Sequence, residues 1–186
     1  VGVDLHLEVV PQAAAAEAES AGLRVAARGL LVQAAQCFER CNEPARAFAL
    51  RARVVGMTLS WLSADQAREE ARAQMARAVG DAQTATALMG LVQVAVETRE
   101  GGAVEMAQQA ERLAIAVADP ALQRQAAFRV VDALYVEHGA QAAYARLTTL
   151  RAQRDAMSDA ERDEFDDVES VLLAAVGQRR LAVQLW

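Results

Sequence analysis

A helix, a tight turn and a second helix follow one another over residues 84–120, and this unit constrains the fold more than any other stretch. Small and apolar residues recur there at the i, i+3, i+4 and i+7 spacing of a buried helical stripe, on both sides of Gly101-Gly102. The Asp119-Pro120 pair ends the second helix, because proline lacks an N–H and disfavours helical backbone in the preceding residue. The stretch is therefore predicted to form a helical hairpin.

The hairpin signature recurs along the chain at a nearly constant period. In the second helix of each predicted hairpin, an alanine is followed four positions later by a second stripe residue and three positions later by a third. These alanines are Ala34, Ala71, Ala107 and Ala143, which are separated by 37, 36 and 36 positions. Because a single hairpin of this kind cannot bury its apolar face alone, the period predicts a stacked array.

The composition favours the same fold class. Apolar residues make up 54% of the 186 residues but aromatics only 4%, so a core must be built from alanine, leucine and valine. Alanine has the highest helix propensity and lets helices approach closely. We predict an all-α protein in which residues 11–186 form a helical-repeat domain and residues 1–10 an N-terminal extension.

Turn and capping signals predict the limits of the helices. The first helix is expected from Pro11 to about Arg28, with a turn at Gly29, and the second ends at residues 42–44. His138-Gly139 is predicted to end a helix, since histidine suits the negative end of the helix dipole and glycine follows it. The other helices are expected at about 45–60, 64–79, 84–100, 103–118, 121–137, 140–156 and 159–176.

Residues 1–10 alternate apolar and polar side chains, which is a strand pattern in an otherwise helical chain. This segment is interpreted as a connection from a preceding domain, an exchanged arm in a dimer, or a short helix. Its polar side carries Asp4, His6 and Glu8. A metal-binding face is the minor alternative there, and a solvated side is the main one.

An acidic region surrounds a predicted helix start at Ser158. Glu161 lies three positions on and completes a capping box with that serine. The carboxylates between positions 155 and 169 are interpreted as a solvated face, with a docking surface for a basic partner as the alternative. Cys37 and Cys41 are expected to be two small buried residues, with a redox or metal role as the alternative.

The repeats resemble the tetratricopeptide-repeat family, whose unit is a helix–turn–helix of 34 residues. Phe128, Val131, Tyr135 and Gly139 fall on that family's W-x2-L-x3-Y spacing and its turn glycine, although the period here is two or three residues longer. The resemblance implies a right-handed α-α superhelix of about four and a half stacked helical hairpins. Alanine-rich repeats of this length also resemble the repeat arms of large bacterial signal-responsive regulators.

In the family that the chain resembles, the first helix of each hairpin lines a concave groove that binds peptides or partner helices. Arg53, Arg99 and Arg129 would orient an acidic partner or a chain terminus there, unless they pair with neighbouring glutamates. Trp61 would anchor a partner or fill the gap between hairpins. The implied partner-binding residues are Arg53, Met57, Trp61, Met89, Val92, Val96, Arg99, Arg129, Ala133 and Val136.

The function implied is that of a non-catalytic protein–protein interaction scaffold, the sensor or docking arm of a larger bacterial regulator. The alternative is a receptor for a peptide or small apolar effector held in the groove; a closed helical bundle and an enzyme are weaker alternatives. The chain has no phosphate-cradling glycine loop and no nucleophile elbow, and its two histidines are 132 positions apart. No catalytic residue, metal ligand or cofactor is therefore predicted.

Charge and hydropathy predict the remaining partners and the location. The formal net charge is -6, and clustered cations of the kind that nucleic acids require are absent, so no nucleic acid is expected as a partner. No apolar run approaches the roughly 20 residues that cross a bilayer, which predicts a cytoplasmic protein without membrane contact. The C-terminal end, where Trp186 closes an unfinished apolar helix, is a candidate contact for a homo-oligomer.

Overall fold

The computed structural model describes residues 14–16, 18 and 22–184. The predictions for residues 1–10, for a helix start at Pro11 and for Trp186 lie outside the described residues. Residues 22–184 contain nine α-helices and one 3-10 helix, and the 3-10 helix, Arg151–Ala156, lies between the seventh and eighth α-helices. In chain order the α-helices are α1 (Arg24–Arg40), α2 (Pro44–Trp61), α3 (Ala64–Arg77), α4 (Gly80–Thr98), α5 (Ala103–Val117), α6 (Pro120–His138), α7 (Ala140–Leu150), α8 (Asp159–Ala175) and α9 (Arg179–Gln184).

Each helix packs against the next one in the chain, and alternate helices also touch: α2 contacts α4, and α4 contacts α6. The helix faces that meet are rich in alanine, and Ala107, Ala110 and Ala114 of α5 are fully buried. Small side chains at these positions allow close helix–helix approach. The prediction of an all-α chain whose helices pack in neighbouring pairs is confirmed for the part of the chain that is described.

Local capping chemistry sets several helix limits, both starts and ends, where the sequence predicts them. The Ser158 hydroxyl accepts from the Glu161 backbone N–H, and the Glu161 carboxylate accepts in return from the Ser158 backbone N–H, so the predicted capping box is present. Asp119 caps α6, whose first residue is Pro120. Gly139, at φ +86°, follows the last residue of that helix, as the histidine–glycine signal predicts.

The predicted turn at Gly29 is wrong. Helix α1 runs through this residue, and the chain turns instead at Gly22, which has φ +73°. The Leu23 N–H donates to the Ala18 carbonyl at 2.8 Å, so the chain is hydrogen-bonded across this turn. Gly22 supplies the left-handed backbone of the turn, whereas Gly29 is an ordinary helical residue.

Two other predicted helix limits also differ from the structure. Helix α4 begins at Gly80 rather than at residue 84, and the Gln83 side chain accepts from the Val79 N–H at 3.0 Å, which stabilises this earlier start. The helix predicted over 140–156 is an α-helix only as far as Leu150 and continues as the 3-10 helix. Arg154 of the 3-10 helix forms an ion pair with Asp166 of α8, so the 3-10 helix lies against the next α-helix.

Ion pairs join consecutive hairpins. They connect residues that are 32–42 positions apart, a range that includes the repeat period of 36 or 37 residues. The Arg124 guanidinium holds Glu161 through two hydrogen bonds of 2.8 and 3.2 Å, which link α6 to α8. The other pairs of this kind are Arg28 with Glu70, Arg68 with Glu100 and Arg146 with Glu111.

Candidate partner-binding groove

A cavity of about 170 Å³ opens where the first helices of three consecutive hairpins lie side by side. We call it the central cavity. Helices α2, α4 and α6 form most of its wall, while α3 and α8 each close one side. Its lining residues are Ala52, Val55, Ala71, Gln74, Thr86, Ala87, Met89, Gly90, Gln93, Gln125, Phe128, Arg129 and Glu164.

Small residues line the central cavity where α2 and α4 are in contact. They are Ala52, Ala87 and Gly90. A Cβ atom placed on Gly90 would lie 3.6 Å from Val55 Cγ1, so the two helices approach to ordinary van der Waals contact there without an intervening side chain. Small side chains at such positions allow close helix–helix approach.

Gln74 of α3 is a buried polar residue in the cavity wall. It is 2% exposed, and its Nε2 atom donates to the Phe48 carbonyl oxygen at 2.8 Å. Its Oε1 atom is buried and has no hydrogen-bond partner among the described residues. A buried acceptor left without a donor destabilises a fold by about 1–3 kcal/mol. Gln74 thus carries an unused acceptor and lines both the central cavity and a second cavity beside Phe48.

Arg129 sits between two carboxylates at the α6–α8 side of the cavity. Its Nη1 atom donates to Asp132 Oδ2 at 2.6 Å, and its Nη2 atom lies 4.0 Å from Glu164 Oε1. Burial raises the pKa of Asp132 above its ordinary value, and the neighbouring guanidinium opposes this shift. Burial also raises the pKa of Glu164, with further contributions from the nearby negative charges of Asp132 and Glu161. One cation facing two acids leaves this cluster with a surplus of negative charge.

The structure brings two of the ten sequence-predicted groove residues, Met89 and Arg129, into the central cavity. Arg99 and Val136 line a different cavity of about 570 Å³ at the α4–α5 turn and the end of α6. The groove role stays a prediction for these four residues. For Arg129, the alternative of pairing with neighbouring acids is what the structure shows.

The other six predicted groove residues lie elsewhere. Val92 and Ala133 are fully buried, and Val96 packs against the same apolar cluster. Met57 belongs to a core cluster against which Trp61 packs, and the Arg24 guanidinium lies 5.3 Å from the centre of the Trp61 ring. Arg53 is exposed on α2. Trp61 therefore fills a gap between helices, which is one of the two interpretations of this residue.

Sequence reasoning missed the polar residues of the cavity, above all Gln74 and Glu164. A usable signal existed for Gln74: Ala67, Ala71 and Gln74 follow the i, i+4, i+7 spacing of a buried stripe, so a glutamine stands at a core position. Nothing comparable marked Glu164, which is one acid within an acidic run. Several acids of that run pair with arginines of neighbouring elements, among them Glu161, Asp166 and Glu169.

The described residues contain no group of three or more His, Cys, Asp or Glu side chains able to hold a metal ion. No disulfide joins the half-buried Cys37 and Cys41, and the Arg40 guanidinium lies 3.1 Å from Cys37 Sγ. Within the same described ranges, no helix is both long and apolar enough to cross a bilayer.

No protein-family model, curated protein sequence or solved structure matches this chain.

Proposed function

We propose that the chain is a non-catalytic protein-interaction scaffold whose central cavity binds a segment of a partner protein. In this proposal the hairpins stack as a right-handed, tetratricopeptide-like superhelix, and the chain serves as the sensor or docking arm of a larger bacterial regulator. The period of 36 or 37 residues and the contacts of α2 with α4 and of α4 with α6 support the stacked arrangement.

The observation that carries the proposal is the lining of the central cavity. First helices of consecutive hairpins contribute apolar side chains such as Met89 and Phe128, and the polar side chains of Gln74 and Glu164 line the same cavity. Apolar walls with a few converging polar groups are typical of a binding site. In helical arrays the same surface of the first helices receives partner segments.

A small effector is the second candidate occupant, and the size of the cavity favours it. Its volume of about 170 Å³ is similar to that of a cavity of roughly 150 Å³ that admits benzene in another protein. In this alternative the chain is a receptor that encloses a small apolar molecule or a short peptide.

The test begins with peptides selected on the purified chain from a displayed random library. The dissociation constant of each peptide is then measured for Gln93→Trp, which fills the central cavity, and for Gln109→Trp on the exposed face of α5. We expect the first variant to weaken binding by more than about tenfold and the second to leave it unchanged. Equal binding by both variants, with both folded by circular dichroism, would contradict a binding role for this cavity.

Small-angle X-ray scattering tests the stacked arrangement separately. An elongated, curved monomer supports the superhelix. A radius of gyration near the roughly 16 Å of a globular chain of this length would instead indicate a closed bundle.

A further inference from the structure

We infer that the central cavity receives the side chain of an arginine from the partner segment. The inference rests on the proposed function and specifies the ligand chemistry of the same site. Two independent features carry it: an incompletely paired carboxylate, Glu164, and an unpartnered acceptor, Gln74 Oε1.

The carboxylate of Glu164 has capacity for a second cation. Its side chain is 50% exposed and lines the cavity, and its ion pair with Arg129 Nη2 is long at 4.0 Å. Arg129 is held by Asp132 at 2.6 Å, so it is turned mainly toward its own helix. A cation entering the cavity would therefore meet a carboxylate that no closer cation neutralises within the described structure.

The amide of Gln74 requires a donor. Its nitrogen donates to the Phe48 carbonyl, so the remaining oxygen needs an N–H or O–H donor from outside the described residues. Glu164 is on α8 and Gln74 is on α3, and both line the central cavity, although Gln74 also lines a second cavity beside Phe48. A ligand that is both cationic and rich in N–H groups would suit the Glu164 carboxylate by its charge and the Gln74 oxygen by its donors.

Arginine fits this requirement better than lysine. A guanidinium carries five N–H donors in a planar fork, and it is less strongly hydrated than an ammonium group, so it enters an apolar cavity more readily. Phe128 and Met89 are among the residues that line the same cavity. Aromatic faces and methionine side chains pack favourably against a flat, delocalised cation.

The electrostatic state of Glu164 agrees with this occupant. Burial, Asp132 and Glu161 raise the pKa of Glu164, while Arg129 alone opposes them. A bound guanidinium would lower that pKa again, because a nearby positive charge favours the ionised carboxyl. Binding should consequently weaken as the pH falls and Glu164 takes up a proton, with Arg129 and Asp132 on α6 and Glu161 on α8 as the charged neighbours.

The test titrates the full chain with N-acetyl-arginine methylamide and follows backbone amide shifts by NMR. The comparison ligand is N-acetyl-citrulline methylamide, which has nearly the same shape but no charge. We expect the arginine compound to bind about tenfold more tightly than the citrulline compound, with the largest shifts in α4, α6 and α8. Equal affinities, or shifts confined to other helices, would overturn the inference.

Variants localise the effect. Glu164→Gln should weaken arginine binding severalfold, whereas the neighbouring exposed Asp163→Asn should leave it unchanged. Gln74→Leu should also weaken binding but change the unfolding midpoint little, because loss of the bond to the Phe48 carbonyl is offset by removal of a buried acceptor that lacks a donor. Loss of binding in Asp163→Asn to the same extent as in Glu164→Gln would mean that the general acidity of α8, rather than the cavity, attracts the ligand.

Failure of this inference is distinguishable from failure of the scaffold proposal. If selected peptides bind in the cavity but tolerate replacement of arginine by citrulline, the scaffold proposal stands and the arginine inference fails. If the arginine compound binds in the cavity but no selected peptide does, the cation site stands and the scaffold proposal fails.

Discussion

The Oε1 atom of Glu137 lies 2.6 Å from the backbone nitrogen of Ala103, although the two residues are 34 positions apart. The same oxygen accepts from the Val104 N–H at 3.3 Å. Helix α5 follows Gly102, which has no side chain to cap it, so a carboxylate from α6 satisfies the exposed N–H groups of the first turn. The first helix of one hairpin thereby caps the second helix of the hairpin before it.

Removal of this cap should destabilise the fold. We expect Glu137→Ala to lower the free energy of unfolding by about 1 kcal/mol, and Glu137→Gln to lower it less because an amide oxygen can still accept. Urea unfolding followed by circular dichroism measures the change, with the exposed Glu97→Ala as control. A loss for Glu97→Ala that matches the loss for Glu137→Ala would show that the charge of the chain matters and the cap does not.

Substitution of two glycines by alanine should have opposite effects. At Gly29, inside α1, an added Cβ meets nothing within 4 Å, so Gly29→Ala should raise the free energy of unfolding by about 0.5–1 kcal/mol. Gly102 has φ +88°, so Gly102→Ala should lower it by about 1 kcal/mol or more. Thermal and urea unfolding of both variants test this. Destabilisation by Gly29→Ala would place a turn at that residue after all.

The ion pair of Glu161 should make stability depend on acid pH. Hydrogen bonding to Arg124 is the main cause that lowers the pKa of Glu161 from 4.5 to about 2, with Ser158 contributing and burial opposing. Because the pKa is lowered in the folded state, the stabilisation is present above the unfolded value and is lost as the pH falls toward about 2. After allowance for solvent screening, we expect a contribution of about 1–2 kcal/mol.

Glu161→Gln tests that contribution, since glutamine keeps the capping box but carries no charge. The wild type should exceed this variant in unfolding free energy near neutral pH, and the difference should shrink at about pH 3. The raised pKa values of Asp132 and Glu164 act in the opposite direction. The contribution of Asp132 is common to both proteins, whereas that of Glu164 should be smaller in the variant, because the charge of Glu161 is one cause of its raised pKa. A difference that stays constant with pH would contradict the assignment.

The fully buried ring of Phe165 should be the main apolar anchor of α8. It meets the Phe128 ring edge-on, with centroids 6.3 Å apart and planes at 75°. Phe165→Ala should cost about 3–5 kcal/mol through lost burial and the cavity left behind. Val171→Ala on the same helix, where the side chain is 54% exposed, should stay within about 0.5 kcal/mol. Similar losses for the two variants in urea unfolding would mean that α8 does not depend on this ring pair.

Helix ends were predictable from sequence where their chemistry is local. The Ser158–Glu161 box, the Asp119-Pro120 break and the glycine after His138 each act within about four residues, so their residue types are sufficient to identify them. Gly29 shows the limit of this reasoning. A glycine permits a turn but does not demand one, and the buried stripe through Ala27 and Leu31 favours a continuous helix at that point.

Only the tertiary structure determines which residues line the central cavity. The stripe of α4 correctly indicated a buried face, but it could not show that, of the buried residues Val92 and Met89, only Met89 would also line the cavity. That distinction depends on how each helix rotates about its axis and crosses its neighbours, which is set by contacts with residues some 35 positions away. The sequence shows that position 74 is a glutamine and position 164 a glutamate. Only the packing of α3 and α8 around α4 and α6 brings these two residues to one cavity.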